Sequence, residues 1–292
     1  MKKDFILQCG GKRFVKGERP LIMGIINVTP DSFSDGLAYF GAQKAIERGC
    51  ELLAQGADVL DIGGVSTAPA ALPVSQTEEG ARIFSVISGL IKRGIDNICV
   101  DTSRAAIAEE ALKLGAAWIN DQSAGLDDEE MGWVMGKAQG VVLMHSRGGS
   151  GVQAGETVIY RDLLGEIDAF FEERIATLAR CGVAYEKIIA DPGIGFGKGL
   201  ADSLKIIANM QRLGEVAAWS MLGLSRKSFL GKLTGIVEPK ERDFATLGAN
   251  LAGIMSGAHI VRTHNVSGMV SMLQAFYACR ERDQDEDLHS GW

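Results

Sequence analysis

The sequence has little proline, no long apolar run and no excess of positive charge, and each absence excludes a class of protein. Its 292 residues include 6 prolines against 37 glycines, and 46% are hydrophobic and 23% charged, which is typical of a globular chain rather than a disordered or collagen-like one. No stretch approaches the roughly 20 apolar residues that a membrane span requires. Too few apolar residues follow Met1 to Asp4 for a signal peptide. We therefore expect a soluble protein with no membrane partner.

Acidic residues outnumber basic ones, and the cysteines are few and scattered. The 37 Asp and Glu against 30 Lys and Arg give a net charge of −7, the opposite of the bias expected in a nucleic-acid-binding protein, so we expect no nucleic-acid partner. An anionic ligand would need local cations that act against this overall field. None of the 5 cysteines forms a C-x-x-C pair, which argues against a zinc site or redox motif and for free thiols in the cytoplasm.

Short apolar runs alternate along the chain with segments of helical periodicity. Most runs are uninterrupted by polar residues, which is typical of parallel strands that are buried on both faces. The eight predicted strands lie at 21–28, 59–64, 98–102, 118–121, 141–145, 188–192, 219–225 and 259–264. Helices are predicted between them, most clearly over 41–55, 104–114, 163–181 and 245–256.

Eight strand–helix units in succession predict an α/β fold, a (β/α)₈ TIM barrel, with an open doubly wound sheet as the alternative. The barrel is favoured because no G-x-G-x-x-G motif follows the first strand and because polar residues end nearly every strand. Before the barrel, residues 5–14, with a Gly-Gly pair at their centre, predict a β-hairpin that caps the barrel bottom. The predicted regions are an N-terminal hairpin (1–19), one barrel domain (20–279) and a charged tail that we expect to fray (280–292).

Polar or glycine residues stand at the carboxyl end of every predicted strand. In a (β/α)₈ barrel these ends meet at one mouth, where the chemistry takes place. A single Asn or Asp there would be an ordinary turn or cap residue, but such residues at eight strand ends of one chain predict a functional site. In chain order they are Asn27, Gly63-Gly64, Asp101, Asn120-Asp121, His145, Asp191, Ser225-Arg226-Lys227, and Arg262 with His264.

Several of these residue types suit a flat heterocycle. Asp101, Asn120 and Asp191 offer acceptors and amide groups that could bind the N–H edge of a ring such as an aminopyrimidinone. Lys227 supplies a cation for a ring carbonyl or a phosphate oxygen. His145 is more simply interpreted as a packed or hydrogen-bonded histidine at a strand end.

The remaining cations and Asn27 suit an anion beside that ring. Arg262 and His264 lie where cationic side chains could bind phosphate oxygens, and so does Arg226, for which a structural ion pair is an equally good interpretation. Asn27 has a hard oxygen that could help to hold Mg²⁺, an ion that commonly takes few protein ligands and keeps waters and phosphates.

Eight segments around these strand ends carry a family pattern in a fixed order. The first, at 23–36, reads Met-Gly-Ile-Ile-Asn-Val-Thr-Pro-Asp-Ser-Phe-Ser-Asp-Gly. The others are DIGGVST at 61–67, VDT at 100–102, IND at 119–121, LMH at 143–145, DPGIGFGK at 191–198, LSRKSF at 224–229 and GAHIVRTH at 257–264. In this order they resemble the signatures of the dihydropteroate synthase family, and the resemblance covers about residues 20–275.

The resemblance implies a (β/α)₈ transferase of folate biosynthesis, usually a homodimer, that uses Mg²⁺ and is a sulfonamide target. Such an enzyme condenses 6-hydroxymethyl-7,8-dihydropterin pyrophosphate with p-aminobenzoate and releases dihydropteroate and pyrophosphate. Mg²⁺ and cationic side chains would stabilise the departing pyrophosphate, and carboxylates such as Asp101 and Asp191 would stabilise the cationic pterin methylene. The aniline nitrogen is already a competent nucleophile, so no Ser–His or Cys–His pair is needed.

The same resemblance implies a role for each matching residue. Those that would hold the pterin are Asp101, Asn120, Asp191 and Lys227, with Met144 and Phe196 nearby. Those that would bind the pyrophosphate and its Mg²⁺ are Asn27, as the metal ligand, Arg262 and His264. Those that would border p-aminobenzoate are Phe33, Thr67, Pro69, Lys227 and Ser228. The catalytic set would be Asp101, Asp191, Lys227 and Arg262.

The chain departs from the family pattern in the loop after the second strand. The family commonly reads Gly-Gly-Glu-Ser-Thr-Arg-Pro-Gly, whereas this chain has Val65 for the Glu, Ala68 for the Arg and Ala70 for the last Gly. The Arg normally helps to contact the anion, so Ala68 removes one cation from the site. We expect this loop and the loop at 29–39 to close over the site and exclude water.

Three interpretations therefore stay open. The first is a working dihydropteroate synthase with altered kinetics or inhibitor response. The second is a divergent paralogue that binds a pterin pyrophosphate but uses another amine or has low activity. The third is a pterin-binding methyl-transfer module that serves a corrinoid protein, against which the segments at 191–198 and 225–228 argue.

Overall fold

The predicted (β/α)₈ barrel is confirmed. The structure is a computed structural model that describes residues 5–28, 38–65, 72–147 and 158–281. The barrel strands are β3 (Leu21–Asn27), β4 (Val59–Gly63), β5 (Ile98–Asp101), β6 (Trp118–Asp121), β7 (Gly140–Met144), β8 (Ile188–Asp191), β9 (Trp219–Gly223) and β10 (Ile260–Thr263). All are parallel, and β10 pairs with both β9 and β3, so the sheet closes on itself and the open-sheet alternative is excluded.

Helices follow the strands and form the outer layer. They are α1 (Ala38–Ala54), α2 (Gln76–Ile91), α3 (Ala105–Lys113), α4 (Met131–Met135), α5 (Leu163–Ala179), α6 (Leu200–Ile207), α7 (Gln211–Val216), α8 (Ser228–Thr234), α9 (Asp243–Met255) and α10 (Val266–Glu281). The four segments predicted most clearly as helices correspond to α1, α3, α5 and α9. The expected tail begins as helix, because α10 continues to Glu281, and residues 282–292 lie outside the described residues.

An antiparallel hairpin covers the bottom of the barrel, as predicted. It consists of β1 (Ile6–Cys9) paired with β2 (Lys12–Val15). The Trp118 indole, which fills the barrel interior, donates a hydrogen bond of 2.6 Å to the Gln8 carbonyl of the hairpin. The hairpin side chains that pack into the barrel are Leu7, Cys9 and Phe14.

Alternation along the strands sorts the apolar core into two layers, because successive side chains of a strand point to opposite faces. In β4, Leu60 and Ile62 pack outwards in the cluster that contains the helices, whereas Val59 belongs to the cluster inside the barrel. The barrel members of this interior cluster include Met23, Cys99, Trp118, Val142, Ile189, Trp219, Met221 and Ile260. They fill the bottom of the barrel and leave the carboxyl ends of the strands for other side chains.

Two further expectations concern the membrane and the thiols. No helix in the described ranges is both long and apolar enough to traverse a bilayer. All 5 cysteines are free, as predicted. Burial raises the pKa of Cys9 and of Cys99 well above the usual value for a thiol, so both act as small packing groups.

Candidate active site

The strand ends bring the predicted polar residues together inside the mouth of the barrel. Residues two positions apart in a strand share a face. Each polar residue therefore points into the barrel because the apolar residue two positions earlier, such as Ile189 in β8, already does. Among the polar residues predicted from the sequence, four follow a member of the interior cluster in this way: Asp101, Asn120, Asp191 and Arg262.

Arg262 connects two carboxylates at the mouth. Its Nε donates to Oδ2 of Asp61 at 2.5 Å, and its Nη2 donates to Oδ2 of Asp101 at 3.0 Å. The Asn120 amide donates to the same Asp61 oxygen at 3.3 Å, and the Gln122 amide donates to Oδ1 of Asp101 at 3.2 Å. Strands β4, β5, β6 and β10 are thus joined by one hydrogen-bonded network of side chains.

The charged groups in this network shift one another's pKa values. Burial and the neighbouring Asp61 raise the pKa of Asp101 to about 7, although Arg262 opposes the shift. Burial lowers the pKa of Arg262, but Asp61 and Asp101 outweigh burial and raise it above its usual value. Asp101 therefore changes its protonation near neutral pH, while Arg262 stays a cation.

Asp191 lies buried at the end of β8. Its Oδ1 accepts a hydrogen bond of 2.8 Å from the Gly193 amide. Gly223 on the neighbouring strand leaves room for the carboxylate, because a Cβ there would lie 3.1 Å from Oδ2 of Asp191. Gly193 has a φ of +65°, and a Cβ on it would lie 2.0 Å from the His145 carbonyl oxygen, so this turn requires glycine. Burial raises the pKa of Asp191, and Lys227 opposes this shift.

Lys227, which precedes α8, extends to the loop after β8. Its ammonium donates to the Ile194 carbonyl at 2.5 Å and lies 4.7 Å from the centre of the Phe196 ring. Burial lowers the pKa of Lys227 to about 8, although Asp191 favours the charged form. A cation beside a buried carboxylate and an aromatic face can contact both the edge of a flat ring and an anion.

A second lysine, Lys198, lies behind this loop and was not singled out from the sequence. It is almost fully buried and donates to the carbonyl oxygens of His145 at 3.1 Å and Phe196 at 2.9 Å. Burial lowers the pKa of Lys198 to about 7, and the nearby Asp191 opposes this shift. Lys198 therefore connects, through hydrogen bonds, the residue after β7 with the loop that follows Asp191 and carries Phe196.

His145 is a packed histidine, in agreement with the simpler interpretation of the sequence. Its ring meets the Phe170 ring edge-on, with 4.9 Å between the ring centres. Burial, together with the charge of Lys198, lowers the pKa of His145 to about 3. The ring is therefore neutral at ordinary pH and is held by packing.

Two residues that were expected to supply cations behave differently. The Nδ1 of His264 lies 2.9 Å from Oγ of Ser225, and burial, with the charges of Arg226 and Arg262, lowers the pKa of His264 to about 3. His264 is thus a neutral hydrogen-bonding group at the mouth. Arg226 pairs with both carboxylate oxygens of Asp243, at 2.6 and 2.8 Å. Of its two interpretations, the structural ion pair is the one that the geometry supports.

The other predicted residues lie at the mouth or outside the described residues. Asn27 ends β3 with an exposed side chain, and Ser228 is the exposed first residue of α8. Met144 is buried and stands opposite Asp191 in the pairing of β7 with β8. Phe33, Thr67 and Pro69, together with Ala68 and Ala70 of the altered loop, fall outside the described residues.

Asp61 is the residue of the mouth that sequence reasoning missed. It stands in the middle of the apolar run of β4, not at the strand end where the other polar residues lie. A fully buried Asp is rare unless it is paired, so a carboxylate inside a strand that is buried on both faces already predicts a buried partner. That signal could have identified Asp61 without the structure.

The fold is a closed parallel barrel, and its mouth holds buried carboxylates, an amide and two cations. This is the architecture of a barrel enzyme that binds a small polar molecule. The family described as "Pterin binding enzyme" matches residues 23–264. The chain therefore belongs to the pterin-binding enzyme family, and within it to the dihydropteroate synthases, as the following relatives show.

Curated and structural relatives agree on this membership. The dihydropteroate synthase of Synechocystis sp. is 37% identical over 91% of this chain and 92% of its own length. The structure of Xanthomonas albilineans dihydropteroate synthase with 4-aminobenzoic acid superimposes with a TM-score of 0.87 at 35% identity, and the match covers 95% of this chain and 99% of that one. The same enzyme in complex with 7,8-dihydropteroate gives a TM-score of 0.83 at 34% identity, over 94% and 98% of the two chains.

Proposed function

We propose that the protein is a transferase that condenses 6-hydroxymethyl-7,8-dihydropterin pyrophosphate with p-aminobenzoate, giving dihydropteroate and pyrophosphate. The observation that carries this proposal is the convergence of Asp101, Asn120, Asp191 and Lys227 at one barrel mouth, together with the family membership. We place the reaction in the cytoplasm, where the free thiols stay reduced.

The buried polar groups match the edge of a pterin. An aminopyrimidinone ring donates through its N–H groups and accepts through its carbonyl. Oδ1 of Asp191 is bonded to Gly193, and Oδ2, beside Gly223, can accept from the ring. The Asn120 amide and the Lys227 ammonium can contact the remaining ring atoms, and the Phe196 ring supplies an apolar face. A buried carboxylate without such a ligand is costly, which favours a bound N–H donor.

The chemistry follows from the charges at the mouth. The C–O bond between the pterin methylene and the pyrophosphate breaks, and its electron pair leaves with the pyrophosphate. The amine nitrogen then forms the new C–N bond and loses a proton. Asp101 and Asp191 would stabilise positive charge on the methylene, and Arg262 and Lys227 would stabilise the negative leaving group. His264 would contribute a neutral hydrogen bond, since its pKa of about 3 keeps it uncharged.

Mg²⁺ is part of the proposal. The Asn27 side chain is exposed at the end of β3 and offers one neutral hard oxygen, which fits an ion that keeps most of its waters and binds phosphates. In the described ranges no group of three or more acidic, His or Cys side chains could hold a metal alone, so the ion would be shared with the substrate. When bound, Mg²⁺ would neutralise charge on the departing pyrophosphate.

Lys227 and Ser228 would border p-aminobenzoate, together with Phe33, Thr67 and Pro69 of the two loops. Ser228 is exposed next to the ammonium-bearing Lys227, so both can meet a ligand that enters from the mouth. Sulfonamides resemble p-aminobenzoate in shape, and we expect them to compete for this position.

A second candidate function is supported by the altered loop. Val65 and Ala68 stand where the family commonly has Glu and Arg, so a divergent paralogue that uses another amine, or works slowly, would share the intact pterin side. Restoring the charge separates the two candidates. If the missing Arg limits the p-aminobenzoate reaction, Ala68→Arg should raise kcat/KM by about threefold to a hundredfold. If neither Ala68→Arg nor Val65→Glu/Ala68→Arg exceeds the parent, the paralogue gains support.

We also propose that the protein is a homodimer, with α9 at the interface. The outer face of α9 is apolar, with Phe244 88% and Met255 54% exposed, and the small residues Gly248 and Ala252 lie between them on the same face. A helix that is apolar on its solvent side as well as its core side is typical of an interface. Phe244→Glu should convert a dimer to a monomer in sedimentation, and an unchanged mass would contradict this interface.

The decisive experiment for the function is a turnover assay. Purified protein is incubated with the pterin pyrophosphate, Mg²⁺ and p-aminobenzoate, and both dihydropteroate and pyrophosphate are measured. Formation of both products supports the first candidate. Pterin binding without turnover, or turnover with another amine, supports the paralogue, and absence of pterin binding would contradict both.

A further inference from the structure

Asp61 is a fully buried carboxylate at the inner side of the mouth, where it touches side chains of the proposed substrate site. It is 0% exposed in the middle of β4, and the Arg262 and Asn120 side chains lie against it. Val59, two positions earlier on the same inward face of the strand, is an ordinary core residue. An apolar residue would therefore suit this position on grounds of burial alone.

The contacts of Asp61 are with site residues. One oxygen, Oδ2, accepts from Arg262 Nε at 2.5 Å and from the Asn120 amide at 3.3 Å. Its other oxygen, Oδ1, is buried and has no hydrogen-bond partner among the described residues. The charge of Asp61 and a side-chain hydrogen bond with it also raise the pKa of the neighbouring Cys99 thiol, which is only a weak donor. Oδ1 thus lacks a strong N–H or O–H donor, and the carboxylate is oriented by two groups that belong to the proposed substrate site.

The residue just before the same strand, Asp58, is a carboxylate with a purely structural role and serves as a comparison. Asp58, just before β4, also pairs with an arginine, since Arg19 donates to both of its oxygens at 2.8 and 2.6 Å. The Ile22 amide adds a third bond of 2.9 Å. Both oxygens of Asp58 are satisfied by the bottom of the barrel, far from the mouth. A buried ion pair with an unsatisfied oxygen, as at Asp61, is weak support for stability.

We propose that Asp61 is a positioning residue for the reaction proposed above, and that it holds Arg262 and Asn120 in the orientation in which they meet the pterin pyrophosphate. Arg262 is shared between Asp61 and Asp101, so it cannot turn both of its donor edges onto Asp101. Without the charge of Asp61, the guanidinium would pair fully with Asp101, and the Asn120 amide would lose its anchor.

The charge of Asp61 also acts on Asp101. The titratable groups that face Asp101 are Asp61 from β4, Asp121 from β6 and Arg262 from β10, with Lys227 nearby from the segment before α8. Asp61 and Asp121 raise the pKa of Asp101, and Arg262 lowers it. Removing the charge of Asp61 should therefore shift the pKa of Asp101 downwards.

The test compares Asp61→Asn with the matched variant Asp58→Asn. Residues that orient the ligands of a metal ion typically contribute about 10- to 100-fold, and we expect a loss of the same order in pterin pyrophosphate affinity and kcat/KM for Asp61→Asn. The KM for p-aminobenzoate should change little, and the acid limb of the pH profile should move to lower pH. Asp58→Asn should lower Tm and leave both KM values and the pH profile unchanged.

A double-mutant cycle shows whether Asp61 acts through Arg262. In an Arg262→Ala background, Asp61→Asn should add less than about threefold to the kinetic loss, because coupled residues are not additive. Fully additive losses, or an Asp61→Asn variant that binds pterin pyrophosphate as the parent does, would overturn the proposal. If Asp61→Asn does not fold, Asp61→Glu keeps the charge and displaces it, and wild-type pterin affinity in that variant would overturn the proposal equally.

Calorimetric titration with the pterin pyrophosphate alone keeps this test separate from the proposed reaction. If the parent protein binds the pterin but forms no dihydropteroate, the proposed function fails, while the affinity difference between Asp61→Asn and Asp58→Asn still decides the role of Asp61.

Discussion

The two ends of the barrel interior are built on the same strands and the same inward face, yet they have opposite chemistry. At the bottom, Trp118 and Trp219 are buried beneath the hairpin. Two positions further along β6, the mouth begins with Asn120. The bottom is sealed, so a charge is stable there only when the protein itself satisfies it, as Arg19 does for Asp58, whereas the mouth admits water and ligands that can satisfy charges.

Ionisation behaves differently at the two ends for the same reason. At the bottom, burial raises the pKa of Cys9 and Cys99 and leaves the thiols uncharged. At the mouth, burial is opposed by neighbouring charges, which leaves Asp101 with a pKa of about 7 and Lys227 with a pKa of about 8. Groups that titrate near neutral pH are typical of sites that bind or transform a ligand.

The largest expected effect is a loss of stability from a substitution at the sealed bottom of the barrel. Trp118→Ala removes an indole that fills the barrel bottom and donates to the hairpin, and it should lower the free energy of unfolding by about 3–5 kcal/mol. Chemical denaturation measures the loss. The folded fraction at low temperature should keep the KM values of the parent, and altered KM values would show that the two ends are coupled.

Asp191→Ala should remove pterin binding at the mouth. The ring N–H donors of the pterin lose a charge-assisted acceptor worth about 1.5–3 kcal/mol, so pterin binding should fall below detection at ordinary concentrations. Calorimetry with the pterin pyrophosphate measures this. Gly223→Ala tests the same carboxylate in a second way. The added Cβ would lie 3.1 Å from Oδ2 of Asp191, so this substitution should also weaken pterin binding. Unchanged affinity in both variants would remove Asp191 from the site.

Lys227→Ala tests whether one cation serves both substrates. Its ammonium lies between the Ile194 carbonyl and the Phe196 ring, and its loss should weaken the pterin and p-aminobenzoate together, each by about tenfold, as for a charged hydrogen bond. Separate titrations measure the two affinities. An effect on one ligand alone would place Lys227 at the rim.

The smallest expected effect is a dependence of kcat/KM on pH, which tests whether groups at the mouth, unlike the thiols at the bottom, titrate near neutral pH. Catalysis as proposed needs Asp101 ionised and Lys227 protonated, so kcat/KM for the pterin pyrophosphate should rise as pH increases through about 7 and fall through about 8. Stability has the opposite sign for Asp101. Its folded pKa is raised from 3.8, so the folded state holds a proton that the unfolded state releases, and stability should decrease between these values as pH rises. A flat activity profile from pH 6 to 9 would contradict the assignment.

The sequence by itself determined the barrel, the hairpin and most of the mouth. Apolar runs with polar ends are local patterns, and in a closed parallel barrel the alternation of each strand converts them directly into an apolar bottom and a polar top. Asp101, Asn120 and Asp191 could therefore be named in advance, because each is the last inward residue of its strand.

Only the tertiary structure decided which charges meet. Asp61 and Arg262 are 201 positions apart, and Lys198 reaches a carbonyl 53 positions away, so neither contact has a local signal. The protonation of His264 and the pairing of Arg226 depend on burial and on neighbours from other strands and helices. Local periodicity fixes the face on which a side chain lies, but hydrogen-bond partners and local dielectric are properties of the closed barrel.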